Sequence, residues 1–469
     1  MATPPETFGF GARSSGTGGG GLAWSNNSTS AYLNPAGLSR VRSPEAGLGV
    51  IGGFERFQAL PDVWWDTNRD GVINTLDTPL AVSSNVENTV GMHAYAGRNI
   101  GGKFGIGLAL YVPAQRIIRF MAFEPSLPVY FMHVNRPQRY VLALGVGGEP
   151  IKGVHVGFSM DLVPKARSTL VATLAGSIQP PDGENETVSE IVVDVHEVGI
   201  DLRAGMSPVL GLQLDLGTWS DALQGLSLGA TWRGAVGFPL DIEVDVQGNV
   251  GLEDIGELEP YITAAILKGN IQLFDHYVPM SVAFGFAYQF PAGHGFYLDA
   301  TWKDWRPMTP AVASITDADL LFPLIDLSDT LQDGNSTAVV LRSTWSVRGG
   351  GELFFPKKIV SNRFEYVQVC LRFGAGYEQT PLVGQGSNTA LLDTDRVLVA
   401  LGAGVETQDP LQLLNGPIRF DLFSQFHGFP NRFLPHQSDT PEAGFPVEES
   451  GFPIGGFQFV AGAQWGFEY

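Results

Sequence analysis

Apolar and polar residues alternate with a period of two along most of the chain after residue 44. In 280–290, MSVAFGFAYQF, every second residue from Met280 to Phe290 is apolar and those between are small or polar. This period is typical of a β-strand with one apolar face. The pattern recurs to the C-terminus and predicts strands over 45–58, 90–98, 103–111, 140–146, 154–178, 190–202, 226–246, 278–290, 295–305, 339–355, 364–377, 397–406, 418–427 and 456–469.

The apolar face of these strands is predicted to contact lipid. Charged residues make up 16% of the chain, against about 25% in an ordinary soluble domain. A soluble β-sandwich, the alternative fold, would turn its charged face to solvent. In a barrel that face lines the lumen, and the predicted inward residues include Thr231, Arg233, Asp241, Glu243 and Asp245.

The sequence contains no candidate transmembrane helix, because no run of about eighteen apolar residues occurs. Strands cross a bilayer only as a closed barrel, since an open sheet edge would leave backbone polar groups unpaired in lipid. Bacterial barrels of this kind have an even number of antiparallel strands. We therefore predict an all-β fold, a transmembrane antiparallel β-barrel of about fourteen strands.

Residues 8–41 have neither the period of a strand nor the length of a stable helix. Glycines crowd 9–21, where the backbone can take positive φ and approach other backbone closely. Asn34-Pro35-Ala36 then places a proline in a tight turn. We interpret 1–43 as a plug inside the lumen and 44–469 as the barrel, with an insertion at 59–88.

These features together resemble the long-chain fatty-acid transporter family of outer-membrane proteins, the FadL/TodX type. Asn34-Pro35-Ala36 matches that family's plug motif, and further similarities follow in order at 225–233, 301–305 and 391–396. The C-terminal segment 456–469 ends on Tyr469 with aromatic residues at alternate positions, which resembles the assembly signal of outer-membrane barrels. An ordinary edge strand is the alternative for that segment.

The insertion contains a calcium-loop pattern, D-x-N-x-D-G-x-I-N-x-x-D, over 66–77. Oxygen ligands at loop positions 1, 3, 5, 7, 9 and 12 would converge on one ion because Gly71 permits a sharp turn. We expect structural calcium here, and a solvated turn without metal is the alternative. The predicted ligands are Asp66, Asn68, Asp70, the Val72 carbonyl, Asn74 and Asp77.

Charge and motifs limit the classes of function. The formal charge of −20 argues against a nucleic-acid partner and favours divalent cations. No nucleophile elbow, metalloprotease motif or phosphate loop occurs, so we expect no enzyme. The single Cys370 cannot form an intramolecular disulfide. Met1 precedes what resembles a mature end, so we expect the secretory signal peptide to have been removed.

The resemblance implies a passive outer-membrane channel for hydrophobic molecules, and we expect a monomer in contact with outer-membrane lipid. Its ligand would be a fatty acid or an aromatic hydrocarbon in an apolar pocket between plug and wall. Arg233, Lys303 and Arg372 could contact a carboxylate head group, or could be lumenal salt-bridge partners. The alternative function is a calcium-stabilised surface or adhesin-like barrel without transport.

A lateral exit is the last expectation, and it concerns the strand that begins at Phe104. Pro113 interrupts its alternation, and proline removes a hydrogen-bond donor from a sheet. In the family the third strand is kinked and opens the wall towards lipid, so we expect an opening at Val112, Pro113, Ala114 and Gln115. The alternative is that Pro113 begins an extracellular loop.

Overall fold

A computed structural model describes most of the chain. The described residues are 3–60, 64–65, 78–79, 88–115, 128–134, 139–178, 188–252, 262–308, 312–320, 339–357, 366–384, 390–409, 416–435 and 451–469. Within 164–178, 188–203, 238–252, 262–276 and 312–320 the backbone alone is described.

The N-terminal segment consists of short helices joined by glycine-rich turns. They are α1 (Pro4–Phe8), α2 (Gly11–Gly16), α3 (Ser30–Leu33) and a 3-10 helix at Pro35–Arg40. Gly9, Gly18 and Gly21 have φ values of 90°, 94° and 106°, which a residue with a Cβ rarely adopts. Within the described residues, no helix is long and apolar enough to cross a membrane.

Seventeen strands form the main sheet. They are β1 (Glu45–Phe57), β2 (Thr89–Ile100), β3 (Phe104–Pro113), β4 (Val141–Ile151), β5 (Val154–Ile178), β6 (Val188–Asp215), β7 (Leu226–Arg233), β8 (Val236–Leu252), β9 (Ile262–Val278), β10 (Met280–Gln289), β11 (Gly295–Asp304), β12 (Val312–Leu320), β13 (Thr344–Phe354), β14 (Val367–Glu378), β15 (Arg396–Gln408), β16 (Pro417–Pro435) and β17 (Gly451–Glu468).

Fourteen of these strands close the barrel wall, which confirms the predicted fold. β1 pairs antiparallel with both β2 and β17, so the first and last strands seal the sheet. The wall comprises β1 to β7, β10, β11 and β13 to β17. The end with short turns, such as the one between β2 and β3, corresponds to the periplasmic end of such barrels.

β8, β9 and β12 extend the sheet beyond the other end of the wall. β7 and β10 are neighbours in the wall, and β8 pairs with β9 above them. The single strand predicted over 226–246 is therefore wrong, because the chain breaks at 234–235 between β7 and β8. At this break the Gly234 N–H donates to the carbonyl of Pro208 in the wall strand β6 at 2.8 Å. The strands at 262–276 and 312–320 lie outside the predicted set.

Smaller elements complete the described structure. Helix α4 (Phe131–Val134) follows β3, and two 3-10 turns at Leu216–Thr218 and Asp221–Leu223 join β6 to β7. Two pairs of very short strands lie beyond the wall: Trp64–Trp65 with Thr78–Pro79, and Val340–Leu341 with Leu382–Gly384.

The outer face of the wall is apolar and the inner face carries small and polar residues. Leu48, Phe284 and Trp465 are 59%, 59% and 61% exposed and point away from the lumen. Ala283 and Gln464, on the opposite face of the same strands, are buried. A continuous apolar outer face is stable only in contact with lipid, so the barrel is transmembrane. Thr231 and Arg233 point inward as predicted, whereas Asp241, Glu243 and Asp245 lie where side chains are not described.

Candidate functional site

The Asn34-Pro35-Ala36 motif joins the plug to the wall. The Asn34 Nδ2 donates to the Leu22 carbonyl at 2.9 Å and to the Leu212 carbonyl of β6 at 3.1 Å. The Asn34 Oδ1 accepts from the Ala36 N–H at 3.2 Å, which caps the 3-10 helix that Pro35 begins. One buried amide therefore holds the plug and β6 in a fixed relation.

Wall glycines make room for this motif. A Cβ atom on Gly157 of β5 would overlap Pro35 and Ala36, and one on Gly211 of β6 would overlap the Asn34 side chain. The wall backbone therefore approaches the motif closely at these two positions, and a side chain on either glycine would prevent this approach.

A buried charge cluster ties α2 to the wall. Arg13 Nη2 lies 2.7 Å from Glu352 Oε2, and Arg372 Nε lies 2.7 Å from Glu352 Oε1. Arg372 Nη1 is also 2.5 Å from Asp421 Oδ1. The Glu352 side chain is 2% exposed. This carboxylate therefore compensates two guanidinium groups, that of the buried Arg372 and that of the partly exposed Arg13.

A second charge cluster ties α1 to the wall. Lys303 Nζ lies 2.8 Å from Glu6 Oε1 and 2.7 Å from Glu378 Oε1. Arg348 donates to the Glu6 carbonyl at 3.1 Å, and Arg396 pairs with Glu378. Burial opposes ionisation of Glu6, but the Lys303 ammonium outweighs it and holds the pKa of that carboxyl below its ordinary value. Glu6 is therefore ionised at neutral pH.

Arg233 is the third wall cation that contacts the plug. It pairs with Asp161 of β5, and its Nη2 donates to the Tyr32 carbonyl at 2.8 Å. Its guanidinium also lies 4.5 Å from the centre of the Tyr32 ring. Arg233 and Lys303 line one cavity of about 100 Å³ between plug and wall.

All three cations considered as head-group contacts have carboxylate partners in the structure. Arg233 pairs with Asp161, Lys303 with Glu6 and Glu378, and Arg372 with Glu352 and Asp421. The structure brings Arg233 and Lys303 together at the plug cavity and places Arg372 at the other charge cluster. These contacts match the salt-bridge alternative.

Apolar side chains fill the outer mouth of the lumen above the plug. This outer apolar cluster combines wall residues with residues around α4, beyond the end of β11, at Leu382 and at 390–392. Its buried members are Phe57, Leu60, Tyr130, Phe131, Met132, Tyr277, Trp305, Met308, Leu382, Ala390, Leu391, Leu392, Phe429, Leu434, Phe452 and Ile454.

One polar contact anchors α4 inside the outer apolar cluster. His133 Nδ1 lies 3.0 Å from Glu55 Oε2, and both side chains are buried. The imidazole also packs edge-on against the rings of Phe57 and Phe429 at 4.8 and 5.1 Å. The Val129 N–H donates to the Ala390 carbonyl at 3.1 Å, so the segment before α4 is held by backbone as well.

A second set, the plug–wall apolar cluster, lies between the plug and one side of the wall. It includes plug residues from α1 to the 3-10 helix and inward residues of β1 to β4, β16 and β17. Its buried members are Phe8, Phe10, Ala12, Ala31, Tyr32, Leu38, Val41, Ile51, Tyr95, Ala109, Tyr111, Val141, Ala143, Phe423 and Val460.

The residues predicted to flank a lateral opening lie next to this cluster. β3 pairs with β2 as far as Pro113, and the Ala114 N–H donates to the Val90 carbonyl at 2.8 Å. On its other side, the pairing of β3 with β4 ends at Tyr111 and Val141. Both of these residues belong to the plug–wall apolar cluster.

The predicted calcium ligands, 66–77, lie outside the described residues. The backbone on either side is described: Trp64 pairs with Pro79, and Trp65 pairs with Thr78. In the parts of the chain that the structure covers, no group of three or more potential metal-ligating side chains occurs.

Sequence reasoning did not single out Glu6, Glu55 or His133. Strand alternation places Glu55 on the lumenal face of β1, so an inward carboxylate could have been inferred. Its partner His133 lies 78 positions away in α4, where the sequence has no strand period. No sequence pattern connects the two.

Comparisons with known proteins show the same architecture. No protein-family model matches the sequence, and no curated protein does. A Pseudomonas aeruginosa FadL homologue is 14% identical with a TM-score of 0.55, over 98% of this chain and 97% of that chain. The CymD monoaromatic hydrocarbon channel is 12% identical with a TM-score of 0.51, over 100% and 99%. The likeness confirms the FadL-type barrel fold that the resemblance implied.

Proposed function

We propose that this protein is an outer-membrane channel for the passive uptake of hydrophobic small molecules, such as long-chain fatty acids or aromatic hydrocarbons. The outer apolar cluster carries the proposal, because it occupies the mouth of the lumen with side chains such as Met132, Trp305 and Phe429. A porin lumen is polar and water-filled. An apolar entrance above a plug instead favours ligands that leave water readily.

Two structural neighbours support the class of ligand. One is described as a FadL homologue and the other as a monoaromatic hydrocarbon channel. A fatty-acid carboxylate at the plug cavity would have to compete with Glu6 for Lys303, or with Asp161 for Arg233. We propose Arg233 and Lys303 as head-group contacts that a fatty acid would reach by displacing Asp161 or Glu6, whereas a neutral hydrocarbon requires no such exchange.

An uptake assay tests the function. Cells that lack their own hydrophobic-compound channels should accumulate a labelled long-chain fatty acid or labelled toluene faster when this chain is expressed. The same cells should not take up a labelled hydrophilic sugar faster. Equal uptake with and without the chain would favour the calcium-stabilised surface or adhesin-like alternative.

We further propose that the hydrophobic ligand leaves sideways near Val112, Pro113, Ala114 and Gln115. The proposal is supported by the loss of β3–β4 pairing beyond Tyr111 beside an apolar interface. A hydrophobic ligand that followed this interface would reach lipid without crossing water. The alternative remains that Pro113 only begins an extracellular loop.

A disulfide between β3 and β4 at the proposed lateral exit should stop uptake. Val112→Cys with Tyr140→Cys extends the β3–β4 register by one pair, and the buried Cys370 should not interfere. We expect oxidation to reduce fatty-acid uptake at least about tenfold and reduction to restore it. Leu110→Cys with Leu142→Cys, which joins residues already paired, is the matched control. Full uptake by the oxidised first variant would rule out lateral exit here.

Calcium is proposed as a structural ion in the loop 66–77. The short ladder of Trp64–Trp65 with Thr78–Pro79 supports it, because it brings the two ends of the twelve-residue loop together. Trp65 and Thr78, which directly precede and follow the predicted loop, are paired with each other. Such an ion would make the outer loop rigid.

Asp70→Ala should abolish calcium binding while the barrel still folds, because the site lies in a loop. Calorimetry on the purified protein at millimolar calcium measures the binding, and heat-modifiable electrophoretic mobility measures barrel folding. Asp62→Ala, in the same insertion but outside the motif, should bind calcium normally. Absence of binding by the unaltered protein would refute the site.

A further inference from the structure

A cavity of about 340 Å³ lies beyond the outer ends of β13 to β16, away from the plug. It is formed where the wall strands meet residues 380–383 and 394–395. Its lining includes Arg342, Thr380, Val383, Asp395, Asn431 and Arg432. Neither the plug motif nor the charge clusters of the lumen take part in it.

Arg342 and Arg432 are held at this cavity by backbone carbonyls. Arg342 Nε donates to the Thr380 carbonyl at 3.2 Å. Arg432 Nη1 lies 3.4 and 3.5 Å from the carbonyls of Leu382 and Asp393. A guanidinium has five N–H donors, so each arginine keeps donors for another partner.

Among the described lining residues of the cavity, positive charges outnumber negative ones. Of its described lining residues, the only carboxylate is Asp395. That carboxylate accepts from the Tyr377 hydroxyl and, at 2.9 Å, from the Thr380 N–H. Within the described chain, Arg342 and Arg432 form no ion pair, whereas the lumenal cations Arg233, Lys303 and Arg372 do. Two arginines without carboxylates are notable in a chain of net charge −20.

Exposed aromatic residues lie near the outer ends of the strands that frame the cavity. Trp345, Tyr377 and Phe433 point outward from the strands that frame it and are exposed. Aromatic side chains mark the boundary between hydrocarbon and head groups on such barrels. Tyr377 is bonded directly to Asp395 of the cavity. The cavity therefore lies beside aromatic side chains at the outer end of the wall, where barrels of this kind meet the lipid head groups.

We propose that this cavity binds the phosphate group of an outer-leaflet lipid. The two guanidinium groups supply paired N–H donors that match the oxygens of a phosphate. Each Asp395 oxygen already accepts one hydrogen bond, and the lone pairs that remain would accept from a hydroxyl of the same head group. A bound lipid at this place would hold the outer ends of β13 to β16 against the membrane surface.

A lipid titration tests the proposal on the purified full-length protein in nanodiscs of neutral lipid. The probe is a short-chain phosphatidic acid, and native mass spectrometry measures its binding. The diacylglycerol with the same chains tests the need for phosphate. Inorganic phosphate and decanoate test whether a free anion or a transported carboxylate is the true occupant.

We expect Arg342→Gln and Arg432→Gln each to weaken phosphatidic acid binding about tenfold, the size of effect seen when a charged hydrogen bond is lost. Arg306→Gln is the matched control, because Arg306 is exposed, near the end of β11, and pairs with Asp304 outside this cavity. Heat-modifiable mobility shows that each variant is folded. Arg432→Gln also removes the hydrogen bonds to the Leu382 and Asp393 carbonyls. If that variant loses structure, the Arg342 variant decides the test, because the backbone N–H of residue 342 keeps its bond to the Pro381 carbonyl.

Three results would overturn the proposal. Equal binding by the Arg342 and Arg306 variants would show that the cavity is not the site. Equal binding of diacylglycerol would show that phosphate is not recognised. Binding of inorganic phosphate or decanoate as tight as that of phosphatidic acid would assign the cavity to a free anion or to the transported ligand.

Discussion

Replacement of Gly157 by leucine is expected to expel the plug from its position while the barrel still assembles. A side chain at this place on β5 would overlap the backbone of Pro35 and Ala36. Overpacking of a fitted interface costs about 1–3 kcal/mol or more, and here the clash is with backbone that has no rotamer to change. The wall around Gly157 is held by strand pairing, so the plug has to move.

Conductance across a planar bilayer measures this effect. The unaltered protein should conduct little, because the plug occupies the lumen, and Gly157→Leu should show large open steps. Gly52→Leu is the matched control, since a Cβ at Gly52 of β1 meets nothing within 4 Å. If Gly157→Leu folds and remains as closed as the control, close backbone approach does not hold the plug.

Loss of the Glu352 charge should lower the free energy of unfolding by much more than loss of an exposed ion pair does. Glu352→Gln leaves Arg13 and Arg372 without their shared carboxylate, although Arg13 keeps Asn26 and Arg372 keeps Asp421. Breaking a buried ion pair costs about 3–5 kcal/mol, and the remaining partners favour the lower end of that range.

The midpoint of urea unfolding in detergent measures this loss, and protease digestion of the N-terminal segment reports whether the plug is released. Glu406→Gln provides the comparison, because Glu406 pairs with Arg419, whose side chain is 43% exposed. Pairs of that kind contribute about 0–1 kcal/mol. A similar, small shift for both variants would mean that Glu352 does not anchor the plug.

Charges in the lumen show where prediction from the sequence ends. Alternation along β7 and β11 places Arg233 and Lys303 inside, and the structure confirms that Arg233 points inward. Their partners, Asp161 on β5 and Glu6 on α1, are 72 and 297 positions away in the chain. The choice between a ligand contact and a salt bridge therefore required the folded structure, which shows that these distant residues are in contact.

The sequence by itself determined the barrel and its apolar outer face, and it predicted a glycine-rich plug. A period of two, low charge and a glycine-rich start act within short stretches such as 280–290, so they need no knowledge of distant residues. Only the tertiary structure decided the break between β7 and β8, the pairing of Glu55 with His133, and the meeting of Arg342 with Arg432. Alternation states which face a side chain occupies, whereas its partner depends on strand register, tilt and loop path, which arise only when the barrel closes.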